Sequence, residues 1–364
     1  MTTATTATSD QPATTATTDQ PATSDQAPGA PAAAVAGSGQ ARRANGTGQI
    51  RRAELAAFLR SRRERISPED VGLPPGLRRR TAGLRREEVA QLAGVGVTWY
   101  TWLEQGRPIN ASIQVLEAVA RTLRLDQAER EHLYRLADVP DAVSAAGVAA
   151  ESCPQVAPEV QGILDSLSPL PASVLNERFD LLAWNEPYAV LWPGMVGAAP
   201  GERNTLWECF SCPDCCNPYV NRAEQLSTLV AQLRGAYGRH VGEPAWTGFV
   251  RRLQAVSPHF ARLWAEQDVA SPVTDLKIFR HPAHPRLAMT TTSLGVLATP
   301  GTRVIVYTPA DETTRIAIGH LLAGDDADAR FPCWSQHNRL AKPAGTGLAP
   351  GSRRPRDATA AALA

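Results

Sequence analysis

No run of about 18 apolar residues occurs in this chain of 364 residues, and no basic segment leading into a short apolar one opens it. Neither membrane insertion nor export is therefore expected, and the sequence points to a cytoplasmic protein with no membrane partner. Lysine is nearly missing: apart from Lys277 and Lys342, every base is arginine. The short signatures of common catalysis are missing too, with no G-x-S-x-G, no H-E-x-x-H and no phosphate-cradling glycine loop. His240, His259, His281, His284 and His320 are scattered, and His281 in FRHP reads as a strand-end residue held by hydrogen bonds. These absences weigh against an enzyme and against a resident cofactor. Large apolar side chains are scarce in the first 45 or so residues, built almost wholly of Thr, Ala, Pro, Ser, Asp and Gln. Such a stretch buries too little to offset the entropy of ordering, so 1–48 is expected to be a disordered tail.

What the chain does contain is concentrated in Leu84 to Arg107, LRREEVAQLAGVGVTWYTWLEQGR. The spacing fits two short helices crossed at a glycine-bearing turn, a helix-turn-helix. Val89 is followed by the small Ala90, where a second helix must approach closely, and Gly94 falls where the first helix needs a left-handed C-terminal cap. Tyr100 and Leu103, three apart, share the face that packs back on Val89, Leu92 and Ala93. At about 100° per residue, Thr98, Thr101, Trp102 and Gln105 lie on the opposite face, with Val97 and Trp99 on its flanks. Those side chains can enter a major groove.

Charge supports the same reading. From Arg51 to Arg107 twelve arginines face seven carboxylates, a net of +5, while the whole chain carries +1. A local excess of arginine is the electrostatic footprint of phosphate contact, and double-stranded DNA is the expected partner. Arg85 and Arg86 open the first helix of the pair, where guanidinium and free backbone N–H groups can hold a phosphate.

The run LAAFLRSRRERISPEDVGLP, then RRTAGLRREEVAQLAGV, TWYTWLEQGR and LRLDQAEREHLYRLA, resembles the N-terminal domain of the MmyB-like transcription regulators, a branch of the XRE-type helix-turn-helix proteins. The resemblance implies base-reading positions at Val97, Thr98 and Trp102 and backbone-contacting ones at Arg86 and Arg107. It also implies that Glu104 is a structural partner of an arginine on the first helix, Arg62 or Arg63. Trp99 and Trp102 are bulkier than the residues many relatives carry there, which bears on the target sequence. A single recognition helix offers a small readable face, so a homodimer reading two half-sites is expected.

Further helices follow. Ser112 is a plausible N-cap for a helix through Leu123, with Ile113, Leu116, Val119, Ala120 and Leu123 on one face. Asp126 and Glu129 form a capping box for another through Ala137. With a first helix from about Glu54 to Glu64, the expectation is an all-α five-helix domain over 50–138, then a linker over 139–158.

From residue 159 the period changes. Segments 173–184, 274–280, 286–292 and 303–308 read as strands, and 221–239, 244–255, 257–267 and a stretch after Asp311 as helices. Strands flanking a block of helices make an α+β domain with one antiparallel sheet, over 159–323, before a polar tail at 324–364. The chain's length suggests separate cores for the two domains. Here the resemblance rests on LLAWN (181–185), ERN (202–204), LVAQLR (229–234), SPHFARLW (257–264), FRHP (279–282) and VIVYT (304–308), and it implies a PAS-like ligand-binding fold and a hydrophobic effector of the fatty-acid kind. Trp184, Trp192, Trp207, Trp246 and Trp264 can build a core or wall an apolar pocket. Asn185, Arg203, Asn204 and Arg234, set among them, are candidates for holding a carboxylate head group. Cys209, Cys212, Cys215 and Cys216 in ECFSCPDCCNP form the only cluster with metal-ligand spacing. Confined to eight residues and lacking a histidine, they read as loop cysteines before metal ligands. The competing readings are a metal- or thiol-redox-sensing regulator using them, or an enzyme fused to a DNA-binding module.

Overall fold

The structure, a computed structural model, describes residues 34–74, 83–138, 156–213 and 217–324, with side chains from Gly46 onward. Two units divide the chain, Met1–Ala44 and Asn45–Ala364. Only the opening turns of one helix are described in the first; the packing below belongs to the second. The tail expected before residue 34, most of the linker, Arg78 to Arg80, and the tail after Gly324 lie outside the described residues.

Five helices make the N-terminal domain: α1 (Ala34–Arg65), α2 (Arg86–Ala93), α3 (Val97–Glu104), α4 (Ile113–Thr122) and α5 (Gln127–Leu136). α1 starts at Ala34 and not near Glu54, so the tail expected through residue 48 is helical from 34 on. Alanine is abundant there, and no proline interrupts the chain between Pro31 and Pro68. Within α1, Leu55, Phe58 and Leu59 recur at helical spacing and are buried. Ser112 caps α4 by accepting from Val115 N at 3.4 Å, and Asp126 and Glu129 form the capping box of α5. Ile113 corrects one expectation: at the first position of α4 it stands before the buried face begins and is 54% exposed.

The second domain runs α6 (Pro158–Ser166), β1 (Ala172–Asn176), β2 (Leu181–Trp184), α7 (Glu186–Leu191), α8 (Pro193–Gly197), α9 (Thr205–Ser211), α10 (Arg222–Tyr237), α11 (Pro244–Val256), α12 (Pro258–Ala265), β3 (Asp275–Phe279), β4 (Leu287–Gly295), β5 (Thr302–Pro309) and α13 (Glu312–Ala323). Its sheet is antiparallel throughout, in the order β2-β1-β5-β4-β3. This is the α+β class expected. Segment 173–184 is a hairpin and not one strand: Asn176 Oδ1 accepts from Arg178 N and Asp180 N, and Phe179 takes a left-handed φ of 67°. The short helices α6 to α9 have no strong periodicity and were not expected from the sequence.

Period-two alternation gives the sheet two apolar faces. Ala172, Val174, Ala183, Val304 and Val306 pack beneath Leu164 of α6, while Leu175, Ile305, Tyr307, Met289 and Phe279 face the block of helices. The latter core is continuous with that of α1 to α5, through to Leu133 and Leu136. Two separate cores were expected; one apolar core crosses the domain boundary instead.

Candidate functional site

α2 and α3 cross at a turn whose Gly94 is left-handed, φ 67°, as the cap requires. Val89, Ala90, Tyr100 and Leu103 are buried between the helices, and that fixes the outward face of α3. Val97 (48% exposed) and Trp102 (40%) stand on it with exposed Thr98 and Gln105 and half-buried Thr101. Trp99 packs partly against the core, which leaves it, like half-buried Thr101, less available than Val97, Thr98 and Trp102. Arg107, just past the helix, lies with its guanidinium 5.7 Å from the Trp102 ring and adds a cation to the face. Gly106 makes this end possible. Its φ is 69°, and a side-chain carbon there would lie 3.0 Å from the carbonyl oxygen of Arg52.

Behind the face, Glu104 is fully buried and anchors α3. Its partner is Arg63 and not Arg62: Arg63 Nε and Nη2 each donate to Glu104 at 2.8 Å, and Arg63 Nη1 donates to Leu84 O at 2.7 Å. Arg86 Nε adds a third bond at 3.0 Å. Burial pushes the Glu104 carboxyl up, but the hydrogen bonds and charges of Arg63 and Arg86 outweigh it and hold the group below its usual range. One expectation changes at the start of α2. Glu88 Oε2 already accepts from Arg85 N at 2.7 Å, and Arg85 Nη1 sits 3.3 Å from Glu87, so carboxylates occupy the seat foreseen for a phosphate. Arg85 and Arg86 keep side chains 46% and 39% exposed and can meet a backbone only from there.

In the second domain the helix-facing side of the sheet carries an aromatic wall. Trp192 stands 4.6 Å from Tyr188, 4.9 Å from Tyr307 and 5.1 Å from Phe279, between ring centroids, and Tyr219 stacks beyond Phe279 at 5.1 Å. Two cations border it. Lys277 Nζ donates to Gln225 Oε1 at 2.7 Å and lies 5.7 Å from the Tyr219 ring, and the Arg303 guanidinium lies 4.6 Å from Phe179. Burial lowers the pKa of both. Burial also pushes the Tyr307 hydroxyl up to about 12.

Residues 54–133 match the family model of a helix-turn-helix domain, and residues 156–321 that of the MmyB-like transcription regulator ligand binding domain. The chain carries the two domains of an MmyB-like transcription regulator. No curated protein matches it. As a DNA-binding regulator it has a clear candidate surface in α3. Among the described residues no helix is long and apolar enough to cross a membrane.

Within the MmyB-like ligand-binding domain the four polar residues singled out from sequence do not converge. Asn185 has all its capacity engaged: Oδ1 accepts from Ala172 N and Tyr188 N, and Nδ2 donates to Leu164 O and Leu170 O. It caps α7 and ties α6 to the sheet. Asn204 caps α9 through Trp207 N while donating to Arg178 O and Asp180 Oδ1. Arg203 donates to Ala198 O and covers Trp184 at 4.9 Å. Arg234 points away from the sheet toward α1. Asn185 and Asn204 hold short helices that need side-chain caps, while Arg203 and Arg234 are engaged by the backbone carbonyls of Ala198 and Trp264. Lys277, Arg303 and Tyr307 were not singled out from sequence, although alternation along β3 and β5 was an available signal; Tyr188 on α7 and Tyr219 before α10 carried no such signal.

The cysteines divide. Cys209 lies inside α9, not in a loop, and its thiol is buried, which pushes its pKa well up and disfavours the thiolate a metal requires. Cys212 caps the same helix and is half-buried, while Cys215 and Cys216 lie outside the described residues. His281 meets its expectation: it follows β3, and its Nδ1 accepts from Ala283 N.

Proposed function

We propose that this regulator reads a double-stranded operator as a homodimer through the outward face of α3, and that a hydrophobic small molecule of the fatty-acid kind sets its affinity from the ligand-binding domain. The supporting observation is the solvent-facing set Val97, Thr98, Thr101 and Trp102 on a helix whose back is locked by Tyr100, Leu103 and Glu104. A rigid helix with exposed hydroxyl, methyl and indole groups beside Arg107 suits base-edge contact in a major groove. The aromatic wall supports an apolar effector, and Lys277 and Arg303, which border it, are the cations proposed for a carboxylate.

Selection of duplexes from a random pool tests the reading. Thr98→Ala and Trp102→Ala are expected to lose about 1 to 3 kcal/mol on the selected duplex and little on random DNA. Arg107→Ala should weaken both and reduce the salt slope by about one. Equal losses on both DNAs for all three variants would remove the base-reading assignment. Calorimetry with fatty acids of graded chain length, on wild type and Arg303→Ala, tests the effector.

A further inference from the structure

α1 presents Glu54, Phe58 and Arg62 at four-residue spacing: Glu54 and Arg62 reach Arg234, Gln267 and Asp268 of the ligand-binding domain, while Phe58 between them packs on His132 of α5. Arg62 is 1% exposed, and its Nη1 lies 3.2 Å from Glu129 of α5 and 3.1 Å from Asp268, while Nη2 donates to the carbonyl oxygen of Gln267. Arg234 of α10, equally buried, reaches the same turn from the other side. Its Nη1 donates to Gln267 Oε1 at 2.8 Å and to Glu54 at 3.3 Å, Nη2 donates to Trp264 O, and the guanidinium lies 3.8 Å over the Trp264 ring. One residue in the turn between α12 and β3 thus holds two buried guanidiniums, one with its backbone and one with its side chain. Gln267 does so from a left-handed φ of 61°, a conformation that a residue with a side chain adopts only when its surroundings impose it.

Adhesion alone would be served better by apolar packing, since removing guanidinium from water is costly unless every donor is met. Here, among the described residues, the buried Nε of both Arg62 and Arg234 lack an acceptor. A shift of the Gln267 turn would remove acceptors from both arginines together, leaving Arg62 on Glu129 and Arg234 on Glu54, both in the DNA-binding domain. Next to Arg62 on α1 is Arg63, which holds Glu104 at the end of α3. Adjacent residues of one helix therefore grip the ligand-binding domain and the recognition helix.

We propose that the Gln267 turn is the coupling element of the protein: its hold on Arg62 and Arg234 sets the position of α1 and, through Arg63 and Glu104, the order of α3. This rests on the reading of α3 as the DNA-contacting helix, and Gln267 acts in it as a positioning residue that touches no DNA.

The test uses the full chain with Gln267→Ala and Gln267→Asn. Asparagine favours the left-handed backbone and keeps the carbonyl to Arg62, but its amide is too short for Arg234. Leu321→Ala, in the ligand-binding core away from the turn, is the control for general loosening. Amide hydrogen exchange over 97–104 is expected to accelerate at least about fivefold in Gln267→Ala, by less in Gln267→Asn, and to stay at the wild-type rate in Leu321→Ala. Affinity for the duplex selected by wild type should shift by about five-fold or more in Gln267→Ala, with an unchanged salt slope. Accelerated exchange in a chain that binds no duplex of any sequence would uphold the coupling and overturn the DNA reading. Exchange over α3 equal to wild type in both Gln267 variants, or accelerated equally by Leu321→Ala, would overturn the coupling.

Discussion

Replacing Glu104 by glutamine changes one oxygen into an amide nitrogen, yet the structure predicts a large loss of stability. Among the described residues, Glu104 is the only carboxylate at the buried head group of Arg63 apart from Glu64, which is 54% exposed and 3.5 Å away. Without its charge, the guanidinium of Arg63 keeps one good acceptor, Leu84 O, and two donors meet a neutral amide. Breaking a buried ion pair from one side costs about 3 to 5 kcal/mol. The contacts of Glu104 with Arg86 and with Arg60, whose side chains are 39% and 51% exposed, add less than about 1 kcal/mol each because water screens them. Since Arg63 retains Leu84 O, the lower end applies, about 3 kcal/mol. One core crosses both domains, so the unfolding unit is large, and that loss corresponds to a fall in Tm of about 6 to 12 °C. Calorimetry and urea unfolding of wild type, Glu104→Gln and the double variant Arg63→Met with Glu104→Met would measure it. The double variant removes both charges and should recover at least half the loss. A loss below about 1 kcal/mol for Glu104→Gln, or no recovery in the double variant, would refute the reasoning.

Asn185→Ala strips Ala172 N, Tyr188 N, Leu164 O and Leu170 O of partners, so urea unfolding should show a loss of about 3 kcal/mol; a loss under about 1 kcal/mol with weakened acyl binding would return Asn185 to the ligand. His132 is kept neutral by burial and by the charges of Arg234, Arg135, Arg62 and Arg239, with its pKa well below the usual 6.5. Its native form takes up a proton later than the unfolded chain does, so stability is full above pH 6.5 and falls by about 1.4 kcal/mol per unit as pH drops below it. A His132→Leu variant should lack that slope, and parallel profiles would contradict it. Cys209 should resist iodoacetamide in the native protein and react after unfolding; native labelling as fast as at Cys212 would place it outside the core.

The DNA-binding half was legible because its constraints are local. A left-handed glycine, a capping box and a three- and four-residue apolar spacing are each written within one or two helical turns. Ile113 and Leu92, 54% and 40% exposed, failed there because spacing does not tell where burial begins on a helix or how far across its face the burial reaches. In the ligand-binding half the strands of β3 to β5 declared themselves by alternation, but α6 to α9 did not, being short elements held by caps and tertiary packing. For the same reason Asn185 and Asn204 looked like ligand contacts: a buried polar side chain among aromatics has the same sequence signature whether it meets a carboxylate or a helix end.

Arg62 and Arg63 show where sequence reasoning ends and geometry begins. Both are arginines on one helix, both were possible partners of Glu104, and a turn of about 100° sends them to different domains. Arg63 reaches the recognition helix and Arg62 the Gln267 turn, with Phe58 one turn below packing its ring 5.1 Å from His132. The approach of α10 to α5 is equally tight, since a side-chain carbon at Gly238 would lie 2.7 Å from His132 Nδ1. Neither spacing nor charge excess could separate the two arginines, because the difference depends on a turn 205 residues away in sequence. The continuous core has a functional corollary. A substitution where the ligand-binding domain meets α1 is not insulated from α3, so the stability of one half and the DNA affinity of the other must be measured together in the whole chain.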